Sequence, residues 1–184
     1  MNLDREMSFK GGRTYLHSTT VFDDLVRLRN PGAGAIDFRF DRRTDRQVRY
    51  QFEPPASGTL PVATWRDQEG TIYIVERGEA ITGSVPYDED GLANRFRFTG
   101  QSVTLPVDLD GNSLIEAVVA GFKALLQRTV ADKASKLAFV RLRLSRLPTL
   151  PLEIRFSRRI GEFYQGDIHA GAEPVGQIFF GEWK

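Results

Sequence analysis

Hydrophobic and polar residues follow two different periods along this chain, and the change of period divides it into elements. The first helical stripe is formed by apolar residues at the spacing of one helix face, namely Val21, Phe22, Leu25 and Leu28. Thr20 and Asp23 fit a capping box at its start, and Asn-Pro-Gly at 30–32 ends it. These signals predict a short helix over 21–29, preceded by a short strand at 14–17.

A second and longer helix is predicted over residues 113–129. Ser113 and Glu116 form the capping box that opens it. Its apolar stripe consists of Ile115, Val118, Val119, Phe122, Leu125 and Leu126. Gly121 costs a helix interior about 1 kcal/mol relative to Ala, so its presence predicts close packing against a sheet.

Alternation of apolar and polar residues predicts strands after each helix. The first predicted hairpin joins the strands 36–40 and 48–52, and the next joins 62–65 and 71–76 across the polar turn 67–70. After the long helix, a meander of about four strands is expected at 137–145, 152–157, 160–169 and 175–181.

The two parts of the chain share one order of elements: a short strand, a capped helix and several antiparallel strands. This order resembles the plan of the hot-dog fold, in which a helix lies across a curved sheet. It implies an α+β fold with two strand-helix-strands halves, a double hot-dog-like pseudo-dimer. The halves would span 8–85 and 100–184 of a single compact domain, joined by a loop-rich connection at 86–99. A single α+β sandwich and a lipocalin-like barrel with one helix are the alternatives.

Composition restricts the possible binding partners more than it restricts the fold. The chain has 184 residues, 41% of them hydrophobic, which is enough for a real core. A formal net charge of +1 produces no strong overall field toward nucleic acid or membranes. The absence of Cys excludes disulfides, Cys-ligated zinc and a thiol nucleophile. Without a signal-peptide core or a long apolar run, a soluble cytoplasmic protein with no membrane contact is expected.

His17 is the leading candidate for chemistry. It ends the predicted first strand beside a helix N-terminus, whose positive dipole end favours neutral imidazole, a usable base. In a pseudo-dimer, Asp108 and Asp110 would face it from the loop before the second helix. The element order resembles the hot-dog fold. Dehydratases of that fold use a His from one half and an acid from the other to move protons on an acyl thioester. The alternative is a structural His at a strand end.

The expected ligand is a small apolar or acyl molecule in a cavity between the helices and the aromatic sheet face. Phe22 and Phe122 would line that cavity, and Arg141 and Arg143 are further ligand-binding candidates. No cofactor is expected, because the chain lacks a P-loop and its Gly-x-Gly at 32–34 precedes a strand instead of joining a strand to a helix.

A metal site is not expected. Asp167 and His169 share one strand face and could be joined by His17 or Asp23. One carboxylate and one His do not make a site, because metal ions usually take three or four protein ligands.

An Arg-rich strand face gives two further hypotheses. Its members are Arg39, Arg49, Arg141, Arg143 and Arg155. Binding of nucleic acid is disfavoured because the neighbouring aromatic residues alternate to the opposite face, and Asp37, Asp41 and Glu153 could neutralise the patch. The stronger alternative is a non-catalytic interaction module, a subunit or regulator of a larger bacterial system, that docks a protein partner through this face or the Trp183 end.

Overall fold

One long antiparallel sheet dominates the chain, which we describe from a computed structural model covering residues 2–130 and 136–183. The described residues form three helices and thirteen strands. In chain order these are β1 (Asn2–Arg5), β2 (Phe9–Lys10), α1 (Ser18–Arg29), β3 (Ile36–Phe40), β4 (Arg46–Gln51), β5 (Ala63–Asp67), β6 (Gly70–Ala80), β7 (Ser84–Val85), α2 (Glu89–Ala93), β8 (Arg97–Thr99), β9 (Ser102–Leu105), α3 (Leu114–Thr129), β10 (Lys136–Leu144), β11 (Leu152–Ile160), β12 (Phe163–Ala170) and β13 (Glu173–Trp183).

The sheet contains eleven strands in the order β1-β4-β6-β5-β3-β10-β13-β12-β11-β9-β8, and β2 and β7 form a separate parallel pair. The first five strands of this order come from the N-terminal part of the chain and the other six from the C-terminal part. The two groups meet where β3 pairs with β10, through a ladder in which Phe38 lies opposite Leu142 and Ile36 opposite Leu144. Each group carries one long helix, so the predicted arrangement of two strand-helix-strands halves is confirmed.

Aromatic residues fix each helix on its part of the sheet. In α1, the ring of Phe22 lies 5.5 Å from that of Phe38 and 5.3 Å from that of Trp65. In α3, the predicted close approach at Gly121 is confirmed, because a Cβ there would lie only 2.7 Å from Leu105 of β9. The absence of a side chain lets α3 lie directly on the sheet.

No helix of the described part of the chain is long and apolar enough to span a bilayer.

The predicted hairpin of β5 and β6 is confirmed, with Asp67 opposite Gly70 across its turn. The predicted hairpin of 36–40 with 48–52 is wrong, because β3 pairs with β5 and β10 while β4 pairs with β1 and β6. The amides of Asp41 and Arg42 both donate to the carbonyl of Val62, which leads the chain away from β3. Alternation identified both strands but contained no information about their neighbours.

The C-terminal strands depart from a simple meander in one respect. Strands β11, β12 and β13 are joined by consecutive hairpins, as predicted. Strand β10 pairs with β13, the last strand, instead of with β11. The expected loop around 86–94 contains the short helix α2, in which Asp88 caps the amide of Gly91.

Candidate functional site

The segment before α1 differs from the prediction. Residues 14–17 form no strand, and α1 begins at Ser18, with His17 at the N-cap position in an extended conformation. The amide of Leu16, a fully buried residue, donates to the carbonyl of Thr44 at 2.7 Å and holds the segment against the β3–β4 connection. The interpretation of Thr20 as the cap is wrong: it lies inside the helix, and its hydroxyl is buried without a hydrogen-bond partner among the residues the structure describes.

His17 is buried, with 7% of its surface exposed. Its Nδ1 lies 2.7 Å from the hydroxyl oxygen of Thr19, and the Lys10 ammonium donates to that same oxygen at 2.9 Å. Burial first, and then the nearby charges of Arg13, Lys10 and Lys123, lower the pKa of His17 from 6.5 to about 3. The imidazole is therefore neutral at physiological pH.

Lys10 connects His17 to the start of α3. Its ammonium also donates to the carboxylate of Glu116, and both residues are buried. The other oxygen of Glu116 accepts from the amide of Ser113 at 2.7 Å, while the Ser113 hydroxyl accepts from the amide of Glu116 at 3.2 Å. The predicted capping box of α3 is thereby confirmed, and it also serves as the anchor of the Lys10 side chain.

Asp23 does not cap α1, which corrects the sequence-based assignment. Its carboxylate lies 4.0 Å from the Lys10 ammonium, and the side chain bonds with Ser113. Burial raises the pKa of Asp23. A carboxyl group assigned to helix capping thus belongs to the polar cluster between the N-termini of α1 and α3.

A cavity of about 50 Å³ adjoins His17. Its apolar wall comes from α3 and the central strands, through Val119, Leu137, Phe139 and Phe180. Its polar wall includes Arg13, Arg43, Lys123 and Glu89, and both Arg13 and Lys123 pair with Glu89, at 2.9 and 2.6 Å. The N-terminal part of the chain contributes His17, Leu16 and Phe40, and the C-terminal part contributes the other apolar residues, so the cavity requires both.

Tyr87 completes the surroundings of His17. Its ring centroid lies 5.9 Å from that of His17, and it is flanked by the Lys10 ammonium at 5.6 Å and the Arg13 guanidinium at 5.2 Å. Burial raises the pKa of the Tyr87 hydroxyl, which is buried with no hydrogen-bond partner in 2–130 and 136–183. Neither Lys10 nor Tyr87 was identified from the sequence, since each belongs to a segment without a recognisable motif.

Asp108 and Asp110 are not brought to His17. Their side chains are 86% and 82% exposed, and both pair with Arg95, at 3.9 and 3.4 Å. Neither residue lines the His17 cavity. The carboxylate that α3 directs toward His17, through Lys10, is that of Glu116.

The predicted ligand-binding residues lie in separate places. Phe22 and Phe122 are core residues, and the ring of Phe122 fills the space above Gly166, where a Cβ would lie 2.5 Å from it. Only about 10 Å³ remains in the gap between the helices near Phe22. Arg141 and Arg143 lie on the outer face of the sheet, where both approach Asp37, Arg141 at 2.7 Å.

The outer face carries a groove of about 630 Å³. Arg39, Arg141 and Arg143 line it together with Ile160 and Phe163, which are 46% and 45% exposed. The arginines proposed for this face are paired with acids, in the pairs Arg39–Asp41, Arg49–Asp4, Arg141–Asp37 and Arg155–Glu153. The side chain of Trp183 lies outside the described residues.

Asp167 and His169 do not form part of a metal cluster. Asp167 accepts from Gln165 at 3.0 Å and from Gln177 at 3.3 Å. In the ranges 2–130 and 136–183, no group of three or more His, Cys, Asp or Glu side chains could hold a metal ion.

A scan against protein-family models and a search of curated proteins both found no match. Solved structures do resemble the chain. A Thermobifida fusca protein proposed to be a thioesterase II has a TM-score of 0.50 at 12% identity, over 94% of this chain and 88% of that one. The dehydratase domain of RzxB from Pseudomonas fluorescens has a TM-score of 0.47 at 12% identity, over 95% and 92%. An acyl-CoA thioesterase II from Mycobacterium marinum has a TM-score of 0.43 at 14% identity, over 89% and 86%.

At such low identity the likeness concerns the fold alone. The chain has a hot-dog-like α+β fold with two units in one chain, as the order of its elements predicted.

Proposed function

We propose that the protein binds a small acyl ligand, a short-chain thioester, in the cavity beside His17. One observation carries this proposal: a single cavity combines the buried neutral His17 with an apolar wall on one side and cationic side chains on the other. An acyl thioester has the matching parts, which are an apolar chain, a carbonyl oxygen that accepts hydrogen bonds, and, in coenzyme A, phosphates.

The charges near the cavity favour an anionic ligand weakly. Arg13 and Lys123 share one carboxylate, that of Glu89, so one positive charge of this group is not neutralised. The guanidinium of Arg43 lies 4.4 Å from the centre of the Tyr15 ring, which also lines the cavity. Cationic side chains at such a position attract phosphate groups.

The volume of the cavity restricts the acyl chain. A space of about 50 Å³ suits an acyl group of a few carbon atoms, whereas pockets for larger ligands measure roughly 300–1,000 Å³. The thioester class agrees with the Thermobifida fusca protein of the same fold, which is proposed to be a thioesterase.

Titration calorimetry with butyryl-CoA, palmitoyl-CoA and free CoA tests the proposal. We expect butyryl-CoA to bind more tightly than the other two. Val119→Phe would fill the cavity and abolish this preference, whereas the matched Val107→Phe, at a position 70% exposed, would preserve it. Equal affinity for butyryl-CoA and CoA would refute the acyl proposal, and release of free thiol during the titration would extend it to catalysis.

The outer groove supports a second candidate, a non-catalytic protein contact. Two large apolar side chains, Ile160 and Phe163, are half exposed beside three arginines, a combination of apolar and charged groups common in protein interfaces. The exposure of these two side chains favours the candidate. A second copy of the chain is the partner that can be tested without a further protein.

A further inference from the structure

The hydrogen bonds at Thr19 determine which nitrogen of His17 carries its proton. A hydroxyl group has one proton to donate and two lone pairs to accept with, while a lysine ammonium only donates. The Lys10 ammonium therefore occupies one lone pair of the Thr19 oxygen, at 2.9 Å. The second contact of that oxygen is His17 Nδ1, at 2.7 Å.

The Thr19 proton has one acceptor within reach. Thr19 is fully buried, so water does not take this proton. Within the described residues, the only hydrogen bonds of its hydroxyl are those with Lys10 and His17. The Thr19 hydroxyl consequently donates to His17 Nδ1, which places the proton of the neutral imidazole on Nε2.

We propose that Lys10 and Thr19 are positioning residues that hold His17 in the Nε2–H tautomer, so that His17 donates a hydrogen bond to the carbonyl oxygen of a ligand in the adjoining cavity. This inference rests on the proposed function for the identity of the ligand, but the tautomer itself is a property of the free protein. It also changes the role of His17, since an imidazole that donates through Nε2 is not the base expected from the sequence.

The Lys10 ammonium, which donates to Thr19, is held in place by residues of the C-terminal half. Lys10 is held by Glu116, whose second oxygen is engaged by the Ser113 amide in the capping box of α3. With its charge balanced in this way, the ammonium has a set direction toward Thr19. Burial and the cations Arg13, Lys10 and Lys123 keep the imidazole neutral, so both tautomer and charge are determined by buried groups.

The opposite tautomer leaves a group unsatisfied. If Nδ1–H donated to Thr19, both lone pairs of the hydroxyl oxygen would be occupied and its proton would be buried without an acceptor. An unsatisfied buried hydroxyl costs about 1–3 kcal/mol, which is enough to make the Nε2–H form dominate.

Two-bond 1H–15N correlation spectra of 15N-labelled protein at about pH 7 test the tautomer. The sequence contains two His, so His169→Gln assigns the signals of His17. We expect the nitrogen shifts to identify Nδ1 as unprotonated and Nε2 as protonated. A protonated Nδ1 in the wild type would overturn the proposal, whatever the behaviour of the variants.

Thr19→Val and Thr19→Ser test the positioning role. Valine removes the donor without changing the shape much, so we expect a mixture of tautomers or the Nδ1–H form, whereas serine restores the wild-type spectrum. An unchanged tautomer in folded Thr19→Val would show that Thr19 does not set it. Melting temperatures of both variants distinguish a local effect from loss of the fold.

Binding of butyryl-CoA and of its thioether analogue butyl-CoA tests the carbonyl contact. Since the thioether lacks only the carbonyl oxygen, we expect it to bind roughly three- to tenfold more weakly, the effect of one neutral hydrogen bond. Thr19→Val should reduce this difference and Thr19→Ser should preserve it. Equal affinities would refute the carbonyl contact. Failure of both compounds to bind would refute the proposed ligand and leave the measured tautomer as it is.

Discussion

The Lys10 ammonium forms a buried ion pair with the carboxylate of Glu116, which lies 106 positions further along the chain. Lys10 ends the short strand β2, and Glu116 lies in the first turn of α3. The pair therefore ties the beginning of the N-terminal half to the helix of the C-terminal half. It is also one step from His17, through the hydroxyl of Thr19.

Lys10→Met should destabilise the protein by about 3 kcal/mol, because breaking one side of a buried pair leaves the other charge uncompensated. The measurement is the free energy of unfolding in urea. Arg42→Met is the matched control, since the Arg42–Glu76 pair is about one third exposed and such pairs contribute less than about 1 kcal/mol. If the two substitutions cost the same, the Lys10–Glu116 pair has no special structural role.

The free energy of unfolding should decrease as the pH falls below 6.5, which is the pKa of His17 in the unfolded chain. The pKa of His17 is about 3 in the folded protein and 6.5 in the unfolded chain, so the unfolded state binds the proton more readily. The His17 contribution is complete above about pH 6.5 and decreases toward pH 3, by at most roughly 1.4 kcal/mol per pH unit.

Urea unfolding at about pH 7 and about pH 5.5 measures this contribution before most carboxyl groups titrate. We expect a loss of about 1 kcal/mol in the wild type and in His169→Gln, and a much smaller loss in His17→Gln. The same loss in all three proteins would mean that other groups cause the acid sensitivity.

Gly166→Ala should destabilise the protein by about 1–3 kcal/mol, because the added Cβ would lie 2.5 Å from the ring of Phe122. The matched substitution is Gly78→Ala, also in a strand, where no atom lies within 4 Å of the added carbon. Thermal unfolding of the two variants provides the comparison. Equal melting temperatures would indicate that α3 can move away from the sheet at no cost.

Ile160→Ser combined with Phe163→Ser tests the outer groove. We expect the wild type to associate with itself as its concentration rises, and the double variant to remain monomeric in light scattering. Both side chains are about half exposed, so the melting temperature should change little. A wild type that stays monomeric throughout would count against a contact between copies.

Local sequence signals predicted helices and hairpins correctly where the interacting residues lie close together in the sequence. The capping box of Ser113 and Glu116 fixed the start of α3, and the turn after Asp67 identified the β5–β6 hairpin. The same type of signal failed at Thr20 and Asp23. There the helix begins earlier, at Ser18, and Asp23 bonds with Ser113 of the other half instead of capping α1.

The site depended on contacts that a sequence pattern does not contain. His17 was identified as an isolated His next to a helix, but its neighbours Lys10 and Glu116 come from two distant segments. Asp108 and Asp110 lie on the N-terminal side of α3 as expected, yet they face solvent and pair with Arg95. Direction of a loop side chain is decided by tertiary packing, which explains this difference.

The ladder between β3 and β10 has a consequence for folding. It brings together residues such as Asp37 and Arg141, whose side chains hydrogen-bond although they are 104 positions apart. Contacts of such long range form slowly because a large loop must close first. The His17 cavity takes walls from both sides of this ladder. A nascent chain that has completed only its first half therefore lacks a complete His17 cavity, and binding of the proposed ligand would report the moment at which the second half has docked.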